Sequence, residues 1–161
     1  LASKEKFDRS IVNSVYLASL INEAKVILNN NLLEVCKKDI GNLLIKKRLD
    51  EIESITKINK LNVEMDLEEG EKVSDGTVYS IVLRLRTLYL IECLQNKKLA
   101  TKKEFLKLIE NIANEECYNA YLRIKNDLKE KRAILPKNAL ALIEEITKRL
   151  ARLKLYGEKK R

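Results

Sequence analysis

Apolar residues recur every three or four positions along most of this chain, which is the spacing of one face of an α-helix. The first two such stretches cover about residues 4–28 and 32–61, and Gly41 falls near a shift of phase that predicts a kink or a break. Four further stretches begin at residues typical of helix starts, namely Ser74 or Asp75, Thr101 with Glu104, Asn114 and Pro136. We therefore expect an all-α protein, a bundle of about six helices.

Residues 62–74 interrupt this pattern with a run of acidic side chains. Val63, Met65 and Leu67 alternate with polar residues, which predicts a short strand or an extended edge. We expect a two-helix N-terminal hairpin at residues 1–61, an acidic connection at 62–74, a four-helix C-terminal unit at 75–157 and a basic tail at 158–161.

Two arginines interrupt the most apolar stretch, which covers residues 75–94 and is apolar on nearly every face. Such a helix is usually buried on all sides, so Arg84 and Arg86 need partners or a route to water. Two interpretations are open. Arg84 pairs with a carboxylate such as Glu92 or an acid of a loop, or one of the two arginines contacts a phosphate or another domain.

The composition excludes several kinds of active site. The chain has no His, so catalysis and metal binding through imidazole are excluded, and its three Cys are far apart, which is typical of reduced thiols in the cytoplasm. Asp66 and Glu68 lie two apart and could hold Mg²⁺ from a strand, but the chain lacks the Gly-Ser turn that would hold a triphosphate. We expect this segment to be a solvated acidic loop, and the chain to be non-catalytic with no cofactor of its own.

Positive charge is concentrated late in the chain. The net charge is +8, and residues 97–161 hold 18 of the 32 basic residues but 9 of the 24 acidic ones. This asymmetry favours RNA or DNA as a partner, although a lysine-rich solvated surface is the alternative. Tyr118 and Tyr121 either offer stacking faces or are packing residues. The candidate nucleic-acid-binding residues are Lys97, Lys98, Lys102, Lys103, Arg123, Lys125, Lys129, Arg132, Arg149 and Arg152.

The run VYSIVLRLRTLYLI at residues 78–91 carries a family resemblance, together with residues 105–109, Tyr118, Tyr121 and the RIKN step at 123–126. These segments resemble the helical C-terminal region of archaeal nucleotidyltransferase-domain proteins of the DNA polymerase beta superfamily. Residues 11–14 are similar to the helix that directly follows the catalytic domain in that family. The resemblance covers about residues 7–153.

The resemblance implies a catalytic α/β domain preceding these helices, with Mg²⁺ and a nucleotide bound there. Because the chain begins at Leu1, we expect a piece of a longer protein, and no catalytic residue of the family maps onto it. The implied role is a non-catalytic accessory domain that positions or binds a nucleic-acid acceptor.

Two other roles are weighed against this one. The alternative is a protein-interaction or dimerisation module, with a homodimer as one form, which the long apolar stripes favour. An independent enzyme is the least supported role. We expect a cytoplasmic protein without a membrane span, because Arg84 and Arg86 break the longest apolar run.

Overall fold

The computed structural model describes residues 14–23 and 45–158 of the 161-residue chain. Within these ranges the all-α prediction is confirmed, because they contain six helices and a single short pair of strands. In chain order the elements are α1 (Val15–Glu23), α2 (Ile45–Glu68), β1 (Val73–Ser74), α3 (Asp75–Gln95), α4 (Lys102–Ile112), α5 (Glu115–Lys125), β2 (Arg132–Ile134) and α6 (Pro136–Glu158).

Helix α3 is the central helix, as the sequence predicts. Ser74 caps its start by accepting a hydrogen bond from the amide of Thr77 at 3.2 Å. Its buried residues include Val78, Ile81 and Leu85, and it packs against α1, α2, α5 and α6. An α-helix that meets neighbours on all sides buries apolar residues on all sides, which explains its weak amphipathic pattern.

Helix α2 corrects the prediction for residues 62–74. It runs to Glu68, so the alternation of Val63, Met65 and Leu67 belongs to a helix and not to a strand. Val63 continues the helical spacing of the buried positions, while Met65 and Leu67 are exposed. The turn that follows the helix contains Gly70, whose φ of 69° is easily adopted only by glycine. The predicted kink at Gly41 lies outside the described residues.

The starts of the last three helices agree with the prediction. Thr101 and Asn114 each accept a hydrogen bond from the amide three residues later, at 3.2 and 3.1 Å, and Pro136 opens α6. The predicted capping box at Thr101 is only half formed. The Tyr89 hydroxyl takes the place of Glu104, since it accepts from the Thr101 amide at 3.2 Å and donates to the Glu104 carboxylate at 3.0 Å.

Strands β1 and β2 tie the two ends of the α3–α5 segment together. They are antiparallel, and Val73 pairs with Ile134. Helix α6 then packs along both α2 and α3. Residues of α1, α2 and α3–α6 share one hydrophobic core cluster, while the division into a hairpin and a four-helix unit stays a prediction. No helix in residues 14–23 and 45–158 is long and apolar enough to cross a bilayer.

Candidate nucleic-acid interface

The basic residues named from the sequence fall at two opposite ends of α3. This helix has 21 residues, so its ends are about 30 Å apart at 1.5 Å per residue. The group at its C-terminal end consists of Lys97, Lys98, Lys102, Lys103, Arg149 and Arg152, and the group at its N-terminal end consists of Arg123, Lys125, Lys129 and Arg132. The structure therefore divides them into two groups, one at each end of α3.

Four exposed lysines lie where α3 turns into α4. We call Lys97, Lys98, Lys102 and Lys103 the lysine corner. All four side chains are exposed, and none forms an ion pair with a residue of the described ranges. The nearest acid of α4, Glu104, has its carboxylate bonded to the Tyr89 hydroxyl. The corner therefore presents four ammonium groups without an ion pair to a carboxylate of the described residues.

The backbone of the corner is held in a fixed turn. Lys97 lies in the left-handed region with φ of 52°. Its amide donates to the carbonyl of Leu94 at 3.2 Å, and the amide of Lys98 donates to the carbonyl of Cys93 at 2.9 Å. This pattern is a helix C-terminal motif in which glycine is the usual residue. These hydrogen bonds set the backbone of Lys97 and Lys98, while Lys102 and Lys103 are the first two residues of α4, which Thr101 caps.

Arg149 and Arg152 differ although both lie on α6 near the same end. The Arg149 side chain is 11% exposed, and its guanidinium donates to Glu92 and, at 2.7 Å, to Glu145. Arg152 is 65% exposed and lies 3.7 Å from Glu92. The prediction that Glu92 pairs with Arg84 is therefore wrong, because α6 supplies both cations that surround this carboxylate.

A buried ion pair occupies the N-terminal end of α3. The Arg123 guanidinium donates two hydrogen bonds to Asp75, at 2.6 and 2.8 Å, and a third to Glu116 at 2.8 Å. The Asp75 side chain is fully buried, and it also accepts from the amide of Lys131 at 2.9 Å. Bidentate pairs of this kind are the strong form of a charge-assisted hydrogen bond. Arg123 is thus committed to holding α5 against α3.

The ionisation of this pair follows from its contacts. Burial alone would raise the pKa of Asp75, but the hydrogen bonds from Arg123 and from the Lys131 amide outweigh it and hold that pKa below the ordinary value. The hydrogen bonds that Arg123 donates to Asp75 raise the pKa of Arg123, and its bond to Glu116 adds to the effect. Both groups are therefore charged throughout the neutral range.

The remaining basic residues at this end are exposed. Arg132 lies 2.9 Å from Glu71 and 3.3 Å from Asp66, so it is partly neutralised. Lys125 and Lys129 are exposed and form no ion pair in the described part of the chain. The acid between them and β2, Glu130, accepts a hydrogen bond from the amide of Gly76 at 2.9 Å and so covers the start of α3.

The two candidate stacking tyrosines are packing residues. Tyr118 and Tyr121 are 6% and 3% exposed, and their ring centroids are 5.7 Å apart. Tyr121 also stacks on Tyr79 at 5.3 Å, within the contact between α3 and α5. The interpretation of these rings as faces for nucleic-acid bases is therefore wrong, since each base would need an exposed ring.

Arg84 and Arg86 are both half-buried, and neither meets a carboxylate within the described ranges. Arg86 donates to the hydroxyl of Tyr121 at 2.9 Å. Arg84 has no hydrogen bond to a described residue, and burial lowers its pKa. Two residues apart on a helix, the two side chains point in different directions.

Other potential chemistry is limited. Cys93 and Cys117 are buried free thiols, and burial raises the pKa of Cys117 to about 11, so it is a poor nucleophile at neutral pH. No cluster of three or more potential metal ligands occurs among the described residues. Asp66 and Glu68 lie two apart on α2, a spacing that turns their carboxylates apart on a helix and does not suit a shared Mg²⁺.

No family model, curated protein or solved structure matches this chain.

Proposed function

We propose that this chain is a non-catalytic helical domain that contacts the phosphate backbone of RNA or DNA through the lysine corner. The observation that carries the proposal is the set of four exposed lysines on the turn after α3 and the first two residues of α4, without a carboxylate partner in the described part of the chain. Lysine ammonium groups bind phosphates as point charges, and neutralising phosphates releases the counterions that supply most of the affinity.

The chemistry of the corner favours contacts to phosphates over contacts to bases. Reading a base edge usually requires the forked donors of Arg, Asn or Gln, whereas lysines on flexible stems neutralise charge. The candidate stacking rings, Tyr118 and Tyr121, are buried and unavailable to bases. We therefore expect binding with little dependence on sequence and a strong dependence on salt.

The wider role proposed for the domain is to position a nucleic-acid acceptor for a nucleotidyltransferase. This part rests on the resemblance of residues 78–91, which form the middle of α3. Helix α3 ends at the lysine corner, so an acceptor held there would be oriented by the central helix of the bundle. The nucleotide and Mg²⁺ would belong to the catalytic domain that the resemblance implies.

A second candidate function is self-association or docking of a protein through α2. Ile58, Leu61 and Met65 lie on the outer side of this helix and are 58%, 61% and 58% exposed. Their spacing of three and four residues places them on one face. A contiguous exposed apolar stripe is typical of interaction surfaces.

The test is fluorescence anisotropy with a short labelled duplex across a range of salt concentrations. With four phosphate contacts, the logarithm of the association constant should fall against the logarithm of salt with a slope of about −3 to −4. The double variant Lys102→Glu/Lys103→Glu should weaken binding at least about tenfold at low salt and flatten this slope. The matched control is Lys125→Glu/Lys129→Glu, which changes net charge equally at the other end of α3.

Two outcomes would contradict the proposal. One is an affinity that salt does not change, and the other is an equal loss in both double variants, which would indicate net charge and not the corner. Sedimentation equilibrium of the parent chain and of Met65→Glu tests the second candidate. A dimer that Met65→Glu separates would favour α2 as an interaction surface.

A further inference from the structure

The outer face of α2 carries an apolar stripe that no element of the described ranges covers. Ile58, Leu61 and Met65 are each more than half exposed, whereas Val63 of the same helix is fully buried in the core. Their spacing of three and four residues sets the exposed side chains in one row, directly away from the bundle. A partner that covers this row would remove apolar surface from water.

Charge is distributed unevenly along the same helix. Residues 46–60 hold five basic and three acidic side chains, whereas residues 62–71 hold five acidic side chains and no basic one. Arg132 of β2 offsets only part of this negative charge. The sign of the charge therefore changes at Leu61, in the middle of the apolar stripe.

This change of sign selects the orientation of a second copy of α2. Two copies in parallel would place their acidic segments side by side, where like charges repel. Two antiparallel copies would place each acidic segment beside the mainly basic part of the partner helix. The charge pattern is therefore complementary to itself only in the antiparallel orientation.

Lys57 and Glu64 lie seven residues apart on one edge of the stripe. Each has an ion pair within its own helix, Lys57 with Glu53 at 3.1 Å and Glu64 with Lys60 at 3.5 Å. Exposed pairs of this kind hold their groups weakly. An ammonium group has three donors and a carboxylate has two acceptor oxygens, so each group can bind a second partner and keep the first.

We propose that α2 pairs with α2 of a second copy of this chain, antiparallel, about a two-fold axis level with residue 60. Ile58 and Leu61 of both copies meet at the centre of the contact, and Met65 packs beside Ser54 of the partner subunit. This pairing rests on the second candidate function and is independent of the lysine corner. The stripe is short, so the dimer is weak and depends on concentration.

The same axis brings the charged edges together. Lys57 lies about level with Glu64 of the partner subunit, and the symmetry of a two-fold contact repeats this pair. One ion pair therefore lies at each end of the apolar centre. These pairs set the register and the orientation, while the apolar side chains supply most of the affinity.

Sedimentation equilibrium from micromolar to millimolar concentration measures the pairing. The parent chain should form dimers, and Leu61→Glu should raise their dissociation constant at least about tenfold. Leu128→Glu is the matched control, because Leu128 is exposed to a similar degree and lies outside α2. A monomer at every concentration overturns the proposal and leaves α2 to a different protein. Equal losses in the two variants overturn it together with the second candidate function.

Cross-linking with a short bismaleimide measures the orientation. Ser54→Cys and Met65→Cys are each made in a Cys36→Ser background, where the two remaining thiols are buried. In the antiparallel pair the two Met65 positions are about 15 Å apart along the helix axis, so efficient linking should require a mixture of both variants. Efficient linking of Met65→Cys to itself would indicate a parallel pair. That result would overturn the proposal and leave self-association through α2 intact.

A charge exchange tests the ion pairs. Lys57→Glu should weaken the dimer, and Lys57→Glu/Glu64→Lys should restore it, because the exchanged charges still meet across the antiparallel contact. Lys103→Glu changes net charge equally outside α2 and should have no effect. A double variant as weak as Lys57→Glu overturns the assigned register. Since Lys57 and Glu64 lie outside the lysine corner, each result is distinguishable from a failure of nucleic-acid binding.

Discussion

The two ends of α3 use positive charge in opposite ways. At the N-terminal end, Arg123 is bonded to Asp75 and Glu116 inside the contact between α3 and α5. At the C-terminal end, the lysine corner is exposed and has no acidic partner in the described ranges. The difference shows that the count of basic residues does not measure how much charge is available for a ligand, because part of it holds helices together.

Burial explains why the two ends behave differently. A guanidinium can be taken out of water when a carboxylate meets it in a bidentate geometry, as Asp75 does. A lysine ammonium is more strongly hydrated and keeps its charge at the surface. The arginines Arg123 and Arg149 are accordingly packed, and the lysines of the corner are exposed.

The largest expected effect on stability comes from breaking the buried ion pair at the N-terminal end of α3. Arg123→Ala leaves the Asp75 carboxylate buried without its cation, so the free energy of unfolding should fall by about 3–5 kcal/mol in urea titrations. Glu116→Ala should cost at most about 1 kcal/mol, since this partner is 43% exposed. Equal losses in the two variants would contradict the central role of Asp75.

Lowering the pH should weaken the same ion pair and so lower the free energy of unfolding. The folded pKa of Asp75 lies below its unfolded value, so the stability that it contributes is complete above the unfolded pKa of about 3.9 and is lost as the pH falls through the folded pKa. The free energy of unfolding, measured between neutral pH and pH 3, should therefore fall at the acid end. Asp75→Asn should remove part of that fall, and an unchanged acid slope would argue against this ion pair as its source.

The turns that follow α3 and α5 offer a smaller, matched comparison. Lys97 and Asp127 both have positive φ, at 52° and 53°. Glycine adopts this conformation without the cost of about 1–2 kcal/mol that a side chain incurs, and Asp tolerates it better than Lys. Lys97→Gly should therefore raise the free energy of unfolding by up to about 1 kcal/mol, and Asp127→Gly by less. Chemical denaturation of both variants measures the difference.

The smallest effect on stability is expected at the lysine corner. Lys102→Ala/Lys103→Ala removes two exposed, unpaired cations, and the free energy of unfolding should stay within about 0.5 kcal/mol of the parent. The same variant should lose affinity for a duplex at low salt. A large loss of stability would show that these lysines have a structural role, and the contrast between the two ends of α3 would fail.

The helix starts were predictable because capping is local. Ser74, Thr101 and Asn114 each bond to an amide three residues later, and such a signal is complete within one turn of sequence. The end of α2 was not predictable in the same way. Its acidic last turns are typical of a solvated loop, and only the burial of Val63 against the other helices shows that the helix continues.

The partners of the basic residues could not be read from the sequence. Arg123 and Asp75 lie 48 positions apart, and Arg149 and Glu92 lie 57 apart, so their contacts depend on how the helices pack. A partial signal was present in Glu116, which precedes Arg123 by two helical turns on the same face of α5.

The pairing of β1 with β2 has a consequence for the covalent chain. Val73 pairs with Ile134, which lies about 60 residues further along the chain. The lysine corner lies between these two residues in the sequence, so the strand pair joins the ends of the segment that contains it. A tryptic cut after Lys97 or Lys98 would divide the protein into a piece ending with α3 and a piece containing α4–α6. The strand pair, the Asp75–Arg123 bond and the shared core still connect the two pieces. The nicked protein should therefore migrate as one particle in native gels and separate only when it unfolds.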